Sequence, residues 1–170
     1  MARIISRVTH MAYIPDLAGV EYYPASENLS FFAVGWLEPK QDYLRGEVSE
    51  EFFYRLCALL QEPWHPPVVC AGIHVCKLCQ FSGGRAQSQF RGYRFDGVSG
   101  GSLFVPFGGK LFVAPVSVAH YVDAHEYCPP AEFQEAVMAC PQMRSTDYMK
   151  ALLATPAKEW LRRLREPSDK

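Results

Sequence analysis

The sequence predicts an α+β fold, with a central, mostly antiparallel sheet, one helix inserted early and a C-terminal set of helices packed on the sheet. Three observations carry that expectation. Short apolar runs bounded by Gly, Pro and Ser fill the middle of the chain, helical periodicity fills residues 115–165, and the two patterns do not alternate as βαβ units would. A chain of 170 residues is long enough to bury a real core, so residues 1–170 are expected to form a single globular domain.

The first thirty residues mix polar groups with Pro15, Pro24 and Tyr22-Tyr23 and read as extended or turn-rich. Phe31 to Leu37 (F-F-A-V-G-W-L) is an apolar, aromatic run between Ser30 and Pro39, which fits a buried strand with Gly35 marking a bulge or a close backbone approach. Ser49 is an N-cap for an amphipathic helix of about 12 residues. Glu50 and Glu51 sit in its first turn, where acids suit the helix dipole, and Phe52, Phe53, Leu56, Leu59 and Leu60 form its apolar face. Pro63 ends it, and Trp64-His65-Pro66-Pro67 makes a stiff connector to a strand over Val68 to Val75.

Residues 81–101 are rich in Gly, Ser and Arg and predict one irregular strand around Phe90 to Phe95. Ser102 to Phe107 and Lys110 to Val113, joined by Gly108-Gly109, read as a hairpin. Four helices follow: Pro115 to His125, Pro130 to Cys140, Thr146 to Ala154, and Pro156 to Arg165 with Thr155 as its N-cap.

Composition narrows the function. A net charge of −1 argues against holding nucleic acid or an acidic membrane by long-range attraction. Arg85, Arg91 and Arg94 interleave with Phe90, Tyr93 and Phe95, and with this charge balance they read as a solvated strand or loop. No run approaches transmembrane length, and Met1 to Pro15 lacks the apolar core of a signal peptide, so the reading is a cytoplasmic protein with six reduced cysteines. Cys57 and Cys140 fall on apolar stripes and read as core thiols, and His10, Asp16 and Glu21 read as structural. Neither glycine pair belongs to a phosphate-loop motif, and no serine lies in G-x-S-x-G.

The chemistry concentrates in G-I-H-V-C-K-L-C, Gly72 to Cys79. Imidazole and thiolate are preferred zinc ligands, and the gap between Cys76 and Cys79 is the usual knuckle spacing. Strand parity sends His74 and Cys76 to one face, and a turn through Lys77 and Leu78 brings Cys79 back toward Cys76. No second C-x-x-C exists, so the fourth ligand comes from elsewhere: His120 is favoured, His125 is the alternative, and Cys128 and Cys70 stand behind them. Asp123 is placed to orient His120, whereas His125 shares the core-facing stripe of Val118, Tyr121 and Val122. Five residues separate the two histidines by about 140° on a helix, so only one of them is expected to bind. A thioredoxin-type dithiol would sit at a helix N-terminus, which Gln80 to Gly84 does not resemble.

Several stretches resemble an uncharacterised family of small bacterial proteins: Y-I-P-D-L with E-Y-Y, A-V-G-W-L, G-I-H-V-C-K-L-C and H-Y-V-D-A-H-E-Y-C-P-P-A-E-F. The resemblance points to the same five residues, His74, Cys76, Cys79, His120 and His125, and implies no reaction. The reading is therefore a structural Zn2+ site in a binding or interaction module with a protein partner. The alternatives are a zinc-dependent hydrolase or nuclease with three protein ligands and a water, and a metal-free immunity or antitoxin-like interaction protein. With two thiolates and no Glu inside the motif to act as a base, catalysis is the lesser reading.

Overall fold

The computed structural model describes residues 13–21, 23, 25–67, 76–79, 87–90, 93–96 and 101–165, with the backbone alone for 87–90 and 93–96. The fold is α+β. Strand β1 (Phe31–Ala33) precedes helix α1 (Glu50–Gln61), and β2 (Gln87–Phe90) and β3 (Tyr93–Asp96) form a two-stranded antiparallel pair. Strands β4 (Ser102–Phe107) and β5 (Lys110–Pro115) follow, then helices α2 (Val118–His125), α3 (Ala131–Ala139), α4 (Thr146–Leu153) and α5 (Ala157–Arg165).

The main sheet has the order β1-β5-β4. Strands β4 and β5 are antiparallel, and Gly108 and Gly109 between them both take positive φ (55° and 77°), as a two-residue hairpin turn requires. Strand β1 joins β5 in parallel, from Phe31 opposite Leu111 to Ala33 opposite Val113. The predicted strand over 31–37 is cut short at Ala33, because Gly35 turns to φ 71° and the chain leaves the ladder; only Trp36 pairs again, in a bridge with Ile14. The irregular strand expected around Phe90 to Phe95 is instead the β2–β3 pair, and the expected Val68–Val75 strand lies outside the described residues.

Both edges of this sheet are occupied. Along β1, Leu17 and Val20 donate backbone N–H groups to Ala33 and Phe31 (2.7 and 2.9 Å), and Ala33 donates to Ala18 (2.9 Å). On β4, the carbonyl of Phe104 accepts the Tyr148 hydroxyl (2.9 Å), and Pro106 has no N–H to offer.

Pleating divides the core into two layers. Phe31 and Phe104 share one face, where Trp160 of α5 meets both rings (5.3 and 5.7 Å between centroids) together with Tyr23 (5.4 Å). Phe112 faces the other way and meets Phe133 of α3 (6.0 Å). Helix α1 begins as its sequence dictates, with the Ser49 hydroxyl accepting from the Phe52 N–H (3.1 Å), and lays Phe52, Phe53, Leu56, Cys57, Leu59 and Leu60 into the core against α2 and α3. Helix α2 starts three residues later than expected, because β5 runs on to Pro115. Thr155 caps α5 as its sequence predicts, accepting from the Ala157 N–H (3.2 Å). No helix among the described residues is long and apolar enough to cross a membrane.

Trp160 is fully buried at the junction of α5 with the sheet. Trp160→Ala is expected to lower unfolding free energy by about 3–5 kcal/mol in urea titrations, and Ser49→Ala by about 1 kcal/mol.

Candidate metal centre

Four ligating atoms, from Cys76, Cys79, His120 and His125, lie within 4.8 Å of one another. Two come from a tight turn and two from a single helix. In the turn, the backbone N–H groups of Leu78 and Cys79 hydrogen-bond the Cys76 sulfur, and Lys77 forms an ion pair with Glu38, fastening the turn beside the chain that follows β1. Helix α2 packs against α1 and β2 and buries each of its first five residues, Val118 to Val122.

The distances match a shared centre. The Cys79 sulfur stands 3.2 Å from His120 Nε2 and 3.4 Å from His125 Nε2, and the Cys76 sulfur 3.2 Å from His125 Nε2. Tetrahedral zinc with two thiolates and two imidazoles has edges of about 3.3–4 Å, so this donor set has the chemistry and nearly the dimensions for such an ion.

Both histidines reach the thiols, against the expectation that their spacing would admit one. Their rings are 5.1 Å apart in an edge-to-face arrangement. An imidazole reaches well beyond the helix backbone, so the ring of His125, the last helical residue, still meets that of His120 despite the angle between their Cα atoms. The predicted stripe is buried at Val118, Tyr121 and Val122, but the two histidines exchange places: His120 is 7% exposed, whereas His125 is half-buried. His74 and Cys70 lie outside the described residues. Cys128 is turned away, beside Gly46 and within 3.7 Å of the Gln134 amide.

The end of α2 is fixed by a clamp that the sequence did not reveal. Glu126 takes the left-handed conformation (φ 54°, ψ 23°), reversing the chain directly after His125, and the N–H groups of Glu126 and Tyr127 both close on the Tyr121 carbonyl. Residues 126–128 then zip to 44–46 through Gly46 N–H to the Glu126 carbonyl (3.0 Å) and Cys128 N–H to the Leu44 carbonyl (2.9 Å). The Tyr43 hydroxyl donates to the carbonyl of His125 itself (3.3 Å).

Behind this clamp lies a buried polar junction. The fully buried Tyr127 donates its hydroxyl to both carboxylate oxygens of Asp16 (2.8 and 2.9 Å), and Asp16 also accepts the Gly35 N–H (2.8 Å). Asp16 and Tyr127 stand in two of the recurring stretches, Y-I-P-D-L and H-E-Y-C-P-P, and the reading of Asp16 as structural fits its place here.

Burial shapes the electrostatics of the cluster. It pushes the Cys76 thiol up to about 11, with the adjacent Cys79 adding to the effect and the two backbone N–H groups opposing it. His125 is held below the usual imidazole range, first by burial and then by the positive fields of His120 and Arg45. A bare Cys76 thiolate and a bare His125 imidazolium are thus both disfavoured, and a divalent cation held by the four donors would supply charge that favours the thiolate.

Residues 12–138 match the family model of a domain of unknown function (DUF7919), and the chain belongs to that family. No curated protein and no solved structure matches the chain.

The Asp16 junction has a pH signature. Burial, outweighing its hydrogen bonds from Gly35 and Tyr127, raises the Asp16 carboxyl above its ordinary 3.8, so the folded state holds its proton more tightly than the unfolded chain. Its contribution to stability is complete below that value and is lost as pH rises through the raised one. Asp16→Asn is therefore expected to be destabilising, with a deficit that shrinks as pH rises from 3.8 toward neutrality, measured by urea titrations of both metal-free proteins. A deficit that grows with pH contradicts this account.

Proposed function

We propose that this member of the DUF7919 family is a zinc-binding domain with a closed, structural Cys2His2 centre held by Cys76, Cys79, His120 and His125. It acts as a cytoplasmic binding or interaction module that folds as one domain and engages a protein partner. The carrying observation is the convergence of four ligating atoms within 4.8 Å from two segments separated by more than forty residues. Four protein donors complete a tetrahedral shell and leave no position for a substrate or an activated water, which favours a structural role over a hydrolytic one. In this reading the ion supplies a tie between the 76–79 turn and α2, added to the core packing of Cys76 and Leu78 and the surface ion pair from Lys77.

The domain has a substantial core of its own, so the metal adds to stability rather than creating the fold. Free zinc at about a thousand times its dissociation constant adds about 4.1 kcal/mol. At about 2–4 °C per kcal/mol for a chain of this size, removal of zinc is expected to lower Tm by about 8–16 °C. The test is elemental analysis of untagged protein, with thermal unfolding before and after chelation. One zinc per chain and a chelator-sensitive Tm support the proposal, and His120→Ala and Cys76→Ala are expected to remove the sensitivity. Protein that is metal-free as purified, takes up no zinc and melts unchanged with chelator overturns it.

A further inference from the structure

We propose that Cys76 and Cys79 form an oxidation site at which a peroxide converts the metal-bound thiolates into a disulfide and releases the ion, untying the 76–79 turn from α2. This inference rests on the zinc reading above and adds regulation to the same site. Its first support is the pairing of the sulfurs. Only Lys77 and Leu78 separate them in one turn, and they lie within 4.8 Å of each other, so the two sulfurs are neighbours before any bond of about 2.05 Å forms. Its second is unequal access. Cys76 is 4% exposed, whereas Cys79 is only partly covered, so oxidant meets one sulfur first while the other waits beside it.

The other described thiols lack this arrangement. Cys57 and Cys140 are buried in the core, and Cys128 faces Gly46 and the Gln134 amide.

The chemistry balances with hydrogen peroxide as oxidant. The Cys79 thiolate attacks one peroxide oxygen, forming an S–O bond as the O–O bond breaks, and the departing hydroxide takes a proton to become water. The Cys76 thiolate then attacks the Cys79 sulfur, the S–S bond forms as the S–O bond breaks, and a second hydroxide leaves and is protonated. Two electrons pass from sulfur to peroxide, two protons are consumed, and two waters are produced. The centre keeps two neutral imidazoles but loses both anionic ligands, which is too little charge to hold a divalent ion at this burial.

The experiment is a hydrogen peroxide titration of the zinc-loaded full chain. Released zinc is read with a chromophoric chelator, and the oxidised cysteines are located by alkylation and peptide mass. The expected result is one zinc released and two of the six thiols lost per chain, a Cys76–Cys79 disulfide peptide, and full reloading after dithiothreitol and zinc. Cys128→Ala is expected to give the same titration. Zinc retained while other thiols oxidise overturns the inference and leaves the zinc centre standing. Zinc lost with Cys76 and Cys79 recovered as sulfinic acids, or with either joined to another cysteine, overturns it too. A reduced chain that takes up no zinc before peroxide is added overturns both proposals.

Discussion

The parallel pairing of β1 with β5 is the constraint on which the other contacts depend. It joins residues some eighty positions apart and makes β5 the central strand, buried along all but its first residue. With β1 in place, Phe31 meets Trp160 of the last helix, and the turn at Gly35 presents its N–H to Asp16. Gly35 itself sits so close to its neighbours that a Cβ there would stand 3.1 Å from Val118 and 3.3 Å from Tyr127. The start of α2 and the residue that follows its C-cap are thus both set against the end of β1.

The four-residue cluster inherits its geometry from that arrangement. Helix α2 is buried from its first residue, and its end is held by Tyr43, by the zipper to 44–46 and by the Asp16–Tyr127 junction. The histidines therefore stand on a rigid support. The thiols come from a turn that packs Cys76, Leu78 and Cys79 on the core and carries the internal hydrogen bonds to Cys76 and the ion pair from Lys77. Donors brought together from a turn and a helix suit an ion that completes the tertiary structure.

Local signals were legible in the sequence and distant ones were not. Ser49 with Glu50 and Glu51 marked the start of α1, and Gly108-Gly109 marked the hairpin, because capping and left-handed turns are decided by residues within four positions. The C-x-x-C spacing and the two histidines were visible for the same reason. Their convergence was misjudged because an angular projection places Cα atoms on a circle and ignores the reach of the side chains, which brings the two rings to 5.1 Å. The β1–β5 pairing, the clamp on His125 and the bond between Asp16 and Tyr127 depend on packing across 80 to 110 residues, and no local pattern records them.

The covered edges of the sheet decide how this fold meets other chains. An open strand edge is a template to which a foreign peptide adds by main-chain hydrogen bonds, and it is also a seed for aggregation. Here residues 17–20 run along β1, while Pro106 and the Tyr148 hydroxyl interrupt β4. Strand addition to this sheet is blocked along β1 and hindered along β4. At this sheet, recognition falls to side chains on the helices and loops around it, where sequence can vary without disturbing the ladder beneath.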